Sequence, residues 1–289
     1  MTKPNIPTTS DSVRDHNLFA RKSLGQHFLL DSNVTDKIVH ASGNLSDINI
    51  IEIGAGPGGL TRSLLKSSAK NIYVVEKDFR FIPVLEELKR FYNERLTIIQ
   101  DDALKVSLTD IVPEPRAIIA NLPYNIGTEL LFTWLDEVAI NSNSYQFMTL
   151  MFQKEVAERI FSEKNTKQYG KLSVMTQFLC QVEYCFDLPA HAFTPPPKVE
   201  SAVIKLTPHK KLPFNAEKQM LDKVVSAAFG NRRKMLRSSL KTITDKPQEL
   251  LKQAGIDEER RAETLSLEEF CRLAEIYRIY VSKKIIFET

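Results

Sequence analysis

The sequence is poor in cysteine. Cys180, Cys185 and Cys271 are an odd number with no C-x-x-C spacing, which argues against a disulfide framework and supplies no zinc-binding pattern. The three thiols read as buried and inert, and no metal site is expected. No apolar run approaches the ~20 residues of a membrane span, and the first twenty residues lack the hydrophobic core of a signal peptide. A soluble, cytoplasmic protein with no membrane partner is therefore expected. Internal repeats and low-complexity tracts are also missing. Strong charge of one sign is absent too, since 39 Lys and Arg against 36 Asp and Glu leave a formal net charge of +3. That small excess is uneven: residues 211–289 hold 16 basic and 12 acidic residues, leaving 23 and 24 upstream.

What is present is a series of short apolar runs that each stop at polar residues. Ile48–Ile53 reads as a β-branched strand running into Gly54-Ala55-Gly56-Pro57-Gly58-Gly59, and Leu60, Leu64 and Leu65 then follow at helical spacing. Asn71–Val75 is a second strand ending in Glu76. Leu96–Gln100 is a third, ending in Asp101 and Asp102. A fourth, Ile118–Ala120, stops at Asn121-Leu122-Pro123-Tyr124, where the proline forbids further pairing and an immediate helix. Helices intervene, marked by Phe79 to Leu88 and Thr128 to Leu135. Strands alternating with helices predict an open α/β sheet, whose chemistry lies at the carboxyl edge.

Four polar endings on one edge make a site there more probable than any one of them would. Glycines at a strand-to-helix turn let the backbone approach a ligand, and the helix amino terminus offers free amides. Gly54, Gly56 and Gly59 satisfy G-x-G-x-x-G, and Glu76 stands twenty residues after Gly56, where a carboxylate can take the two hydroxyls of a ribose. This favours a nucleoside ligand and fits a dinucleotide-dependent oxidoreductase equally well. Asp101 or Asp102 can accept from an adenine amino group or merely cap a turn. The Asn121 side-chain oxygen and the Leu122 carbonyl, irregular before Pro123, are two acceptors beside the Tyr124 ring. Acceptors with a stacking plate suit the exocyclic amino group of a nucleobase. The bland alternative is a Pro-Tyr turn that caps a strand.

Elsewhere the chain is less specific. Residues 1–20 are polar and without periodicity and are expected to be mobile. Arg21 and Lys22 open an arm that precedes a helix starting at Asp31 or Ser32, and they either meet phosphates or are solvated. Tyr145–Phe152 is a fifth strand, Glu155–Phe161 and Gly170–Cys180 are helices, and Val182–Leu188 with Val199–Leu206 form a final strand pair. Between these last two, Pro195-Pro196-Pro197 is stiff. It holds Phe193 either towards the sheet edge as a second ring or in the core. Beyond a linker at Pro208–Pro213 the spacing is helical. Arg233, Arg237 and Lys241 recur every four residues on one face of an expected helix, with Leu236 and Leu240 as its anchor.

Seven of these stretches, in order, resemble the ribosomal RNA adenine dimethyltransferase family: GQHFLLD at 25–31, EIGAGPGGLT at 52–61, VVEKD at 74–78, QDDAL at 100–104, NLPYNIGT at 121–128, FTPPPKVESAV at 193–203 and AFGNRRKMLRSSL at 228–240. The family includes small-subunit dimethyladenosine transferases and macrolide-resistance methylases acting on 23S rRNA. The basic stretch together with NLPYNIGT is more similar to the former. The resemblance implies a Rossmann-like, seven-stranded methyltransferase domain over 21–207 and a small all-α RNA-binding domain over 208–289, after the segment 1–20. It implies S-adenosylmethionine as methyl donor, with His27, Leu29, Gly54, Gly56, Glu76, Asp102 and Asn121 around it. His27 stands where many members have asparagine. Asn121, Leu122, Pro123, Tyr124 and Phe193 would receive the target adenine, and Arg21, Lys22, Arg232, Arg233, Arg237 and Lys241 would hold RNA. The implied partner is 16S rRNA within an immature small ribosomal subunit, methylated at two adjacent adenosines near its 3′ end by a monomeric enzyme. An RNA-binding assembly factor with secondary methylation is the rival from another class.

Overall fold

Strands form where short runs of Ile, Val and other apolar residues are cut by glycine, proline or a carboxylate. The computed structural model describes residues 6–21, 24–92 and 95–288, with side chains as far as Ser282. The chain divides into two compact units, Met1–Ala157 with Glu183–Pro208, and Glu158–Val182 with His209–Thr289. The single boundary expected at 207/208 is therefore incomplete, because residues 158–182 leave the first unit and join the C-terminal helices.

The first unit begins with α1 (Thr9–Asp15), β1 (Phe28–Leu29) and α2 (Ser32–Ala41), the last capped by Asp31, whose carboxylate accepts from the Asn33 amide at 2.9 Å. There follow β2 (Asn49–Ile53), α3 (Gly59–Lys66), β3 (Asn71–Val75), α4 (Ile82–Phe91), β4 (Leu96–Ile99), α5 (Leu108–Ile111), β5 (Arg116–Asn121), α6 (Gly127–Ile140) and β6 (Met148–Gln153). After α7 (Lys154–Phe161) and α8 (Lys171–Leu179) come β7 (Cys180–Leu188), β8 (Phe193–Thr194) and β9 (Ser201–Pro208). Seven strands form one sheet in the order β4-β3-β2-β5-β6-β9-β7. β2 to β6 run parallel, and β9 is antiparallel to β6. Alternate residues of the parallel strands, Ile72 and Val74, Ala117 and Ile119, join a core with Leu60, Leu64 and Leu65 of α3 and Leu85 and Leu88 of α4. Each of the Ile, Val and Leu side chains contributes roughly 1.5–3 kcal/mol by leaving water. The strand order reverses between β2 and β5, and a ligand crevice opens at such a reversal.

The segment expected to be mobile contains α1 instead. Thr8 and Asp11 cap it reciprocally, and the Arg62 guanidinium donates to Pro7 O at 3.2 Å, Ser12 Oγ at 2.7 Å, and the Pro57 and Gly58 carbonyls at 2.7 and 2.9 Å. Long-range partners order a stretch that has no periodicity of its own.

In the second unit, α9 (Lys218–Gly230) packs Phe229 against Phe270 of α12 (Leu267–Glu288), ring centroids 5.6 Å apart. Between them lie α10 (Leu236–Ser239) and α11 (Pro247–Gln253). The helix expected to carry Arg233, Arg237 and Lys241 on one face is not continuous. α9 ends at Gly230, Asn231 adopts φ −133° and ψ 67°, and the chain turns helical again only at Leu236, with one α turn that tightens into a 3-10 turn over Leu240–Thr242. Burial pushes the Cys180 and Cys271 thiols up to about 12, so both stay protonated. Among the described residues no helix is long and apolar enough to cross a membrane, and no His, Cys, Asp and Glu side chains group to hold a metal ion.

Candidate active site

The strand order places the ends of β2, β3 and β5 side by side, with β4 next to β3, and a cleft of about 1090 Å³, counted to its open mouth, lies over them. Its lining takes in Gly54, Gly56, Glu76, Asp102, Asn121 and Tyr124. Those endings, read separately from the sequence, thus converge on one cavity.

Gly54 and Gly56 have φ of +71° and +53°, a left-handed backbone that a side chain would strain. Gly59 is required for a different reason, since a Cβ there would lie 2.2 Å from the Leu29 carbonyl oxygen. The third glycine of the motif therefore admits the backbone of the arm. Glu76 is buried, and its two oxygens accept from the Gly56 amide at 2.9 Å and the Asp78 amide at 2.7 Å. Burial raises its pKa, and those two amides oppose the rise. Beneath the loop Glu52 is fully buried, takes the Thr61 hydroxyl at 2.7 Å and is pushed up to about 8 by burial, with the nearby Glu76 adding to the effect. Asp102 differs from both: the Lys77 ammonium at 2.8 Å and the Leu104 amide hold its carboxyl below the ordinary value, so it stays ionised. Asp101 accepts the Asp102 amide at 2.6 Å and caps the turn.

Asn121 ends β5, and its side-chain nitrogen donates to the His27 carbonyl at 3.1 Å. That bond fixes the amide's sense and turns Oδ1 into the end available as an acceptor. The Pro123 carbonyl accepts the Ile126 and Gly127 amides and closes the turn into α6. The Tyr124 ring stacks on the His27 imidazole with centroids 5.2 Å apart and planes 29° apart. Its hydroxyl bonds Ser201 Oγ at 2.6 Å. Burial pushes the Tyr124 phenol up, so it remains protonated and is no base.

The arm that carries His27 is held by bonds that sequence reading missed. The Gln26 amide donates to Asp78 at 3.1 Å and Arg80 binds the same carboxylate at 2.6 Å. Burial pushes Asp78 up, but Arg80 and Gln26 outweigh it and hold the group at about 2. His27 Nδ1 contacts Pro195 O at 2.7 Å. These partners lie 52 and 168 residues apart, and no local pattern signals them.

With the site described, the chain can be compared with known proteins. A profile of the ribosomal RNA adenine dimethylases matches residues 17–278. The chain belongs to that family. A ribosomal RNA small subunit methyltransferase A from Rhizobium meliloti (strain 1021) is 49% identical over 269 residues, covering 93% of this chain and 97% of the relative. Its counterpart from Gluconobacter oxydans (strain 621H) is 46% identical, covering 95% and 89%. Among solved structures, a dimethyladenosine transferase from Plasmodium falciparum is similar with a TM-score of 0.72 and 25% identity over 86% of this chain and 96% of that one. The 23S rRNA methyltransferase ErmE has a TM-score of 0.63 and 25% identity over 87% and 99%.

Ribosomal RNA adenine dimethylases take their methyl group from S-adenosylmethionine, and this chain is such a methyltransferase. Its residues fit that donor: a glycine loop with left-handed backbone, a buried carboxylate at Glu76 and an ionised one at Asp102 line one cleft. Other dimethylase residues expected from the sequence lie elsewhere. Phe193 is buried, paired with Leu29 across β1 and β8, and part of the core. It is not a second stacking ring, because the strand pairing turns it inward. Arg232 is exposed but donates to the Lys167 and Tyr169 carbonyls at 2.9 and 2.7 Å. Arg237 is paired with Glu258 and Glu259, both at 3.0 Å. The row of Arg233, Arg237 and Lys241 is not one helical face, since the helix that would align them is broken. Arg21, Arg233 and Lys241 are exposed, and Lys22 lies outside the described residues.

Proposed function

We propose that this enzyme dimethylates N6 of two adjacent adenosines near the 3′ end of 16S rRNA, in an immature small subunit, acting as a cytoplasmic monomer. The small-subunit methyltransferases at 46–49% identity support the choice of 16S rRNA. The observation that carries the chemistry is the Asn121–Tyr124 turn, which brings an oriented amide oxygen and a half-buried aromatic ring to the cleft that holds Glu76 and Asp102.

An adenine amino group is a weak nucleophile because its lone pair is delocalised into the ring. Asn121 Oδ1 and the Leu122 carbonyl accept the hydrogens on this nitrogen, two before the first transfer and one before the second, favour a pyramidal geometry and aim the lone pair at the methyl, and the proton lost from nitrogen at each transfer passes to water. The bound donor supplies an electrophilic methyl carried on a sulfonium. Glu76 reads the donor's ribose and Asp102 its adenine amino group. His27 covers one face of Tyr124, so the target base stacks on the other, offsetting part of the cost of leaving its helix. Catalysis rests on position and electrostatics.

The test is to incubate the enzyme with labelled donor and immature small subunits and map the label. Label on N6 of the paired adenosines is the expected result, and label confined to 23S rRNA or to another atom sinks the proposal. For the RNA grip, Arg21, Arg233 and Lys241 are the proposed phosphate contacts. Replacing Arg233 and Lys241 together by glutamine should flatten the plot of log affinity against log salt by about 1.5 units, at roughly 0.7–0.9 per phosphate. Donor affinity should not change. Arg237→Gln should leave the slope where it is, because that guanidinium serves Glu258 and Glu259. An unaltered slope in the double variant removes both residues from the interface.

A further inference from the structure

We propose that Ser201 is a positioning residue for methyl transfer, holding the tip of the Tyr124 ring so that the ring lies where the target base stacks. This inference rests on the reading of Tyr124 as the stacking plate. Ser201 is fully buried, opens β9 and stands opposite Gln153 of β6 in the register of the sheet. Its Oγ lies 2.6 Å from the Tyr124 hydroxyl, 77 residues away in sequence. Tyr124 itself sits on a turn after β5, where the backbone is less constrained than in the sheet.

A tyrosine ring turns readily about χ2, which is a broad, two-fold torsion. The ring is restrained here at two places. The His27 imidazole lies against one face, and the Ser201 hydroxyl holds the tip from the rigid edge of the sheet. The hydroxyl oxygen lies on the χ2 axis, so the tip bond fixes where the ring lies and the face contact limits its rotation about that axis. A plate held in both ways selects one orientation of the stacked base, and with it one direction for the lone pair of the amino nitrogen. Misplacement by a fraction of an ångström is costly when the reaction depends on alignment.

Ser201→Ala and Tyr124→Phe remove the same bond from its two ends, and the double variant removes nothing more. The measurement is single-turnover methyl transfer to small-subunit particles at saturating donor, expressed per donor-binding molecule, with donor affinity and melting temperature recorded for each protein. Each single variant is expected to lose about tenfold in rate, and the double variant no more than either. Donor affinity should be unchanged, and Ser201→Thr, which keeps a hydroxyl, should recover most of the loss. A purely structural serine would lower the melting temperature and the donor-binding fraction without moving the rate per binding molecule, and that result overturns the inference. So do losses that multiply in the double variant, or full rate in Ser201→Ala. If Ser201→Ala does not fold, Tyr124→Phe decides alone, because it keeps the ring and deletes the bond: a tenfold loss supports the inference and full rate overturns it. Tyr124→Ala separates the two levels. A near-normal rate there removes the plate itself, whereas a large loss beside unaffected Ser201→Ala and Tyr124→Phe removes only the role of Ser201.

Discussion

Asn121→Ala is expected to slow methyl transfer about a hundredfold, since losing one preorganised polar contact at a reacting group costs about 3 kcal/mol of barrier. The variant should fold, because β5 is held by β2 and β6 and its apolar residues remain. It loses both the acceptor Oδ1 and the donation to the His27 carbonyl, so a modest fall in donor affinity accompanies the loss of rate. Tyr124→Ala removes the plate and should cost roughly 1–3 kcal/mol, the usual worth of one base stacked on one ring. It also leaves the buried Ser201 hydroxyl without its phenol partner, and stability should drop by about 1 kcal/mol or more. Single-turnover rates at saturating donor, with thermal melts as control, measure both. Near-normal rates in the two variants would show that the chemistry takes place away from this turn.

The second large effect is expected at Glu76. Its carboxylate braces the Gly56 and Asp78 amides and, in the proposed complex, reads the ribose hydroxyls. Hydrogen bonds to a charged group are worth about 1.5–3 kcal/mol each, so Glu76→Ala should weaken donor binding by roughly a hundredfold or more. Calorimetry that returns an unchanged affinity would take Glu76 out of the site. The pH dependence has a definite sign. Burial raises this carboxyl's pKa, and protonation removes an acceptor, so donor affinity should decline as pH falls, beginning at a higher pH than an ordinary glutamate would give.

Much of the cleft lining was legible because each strand announces itself as a short apolar run and the residue after it is chemically distinctive. Gly54, Glu76, Asp102 and Asn121 needed only the rule that parallel strands present their carboxyl ends on one edge. What was not legible depends on contacts between distant segments. The His27 stack on Tyr124, the Gln26–Asp78–Arg80 network and the Ser201 bond join residues tens of positions apart, and none leaves a periodic trace. Phe193 was undecided between edge and core until its pairing with Leu29 fixed which way it points. The basic row failed for a local reason. Spacing by four implies a face only if the helix is continuous, and Gly230-Asn231 is a termination signal that outranks the spacing.

The sense of the Asn121 amide bears on how variants at this position should be ranked. Asparagine and aspartate are nearly equal in volume and one base apart in the codon table, so a substitution matrix scores their exchange as mild. Here the side-chain nitrogen faces the His27 carbonyl. An aspartate would set an oxygen against that oxygen and, in the proposed complex, place a negative charge where the target amino group meets a neutral acceptor. Alanine removes a contact, but aspartate replaces it with a repulsion. At this one position the chemically conservative exchange is the more disruptive of the two.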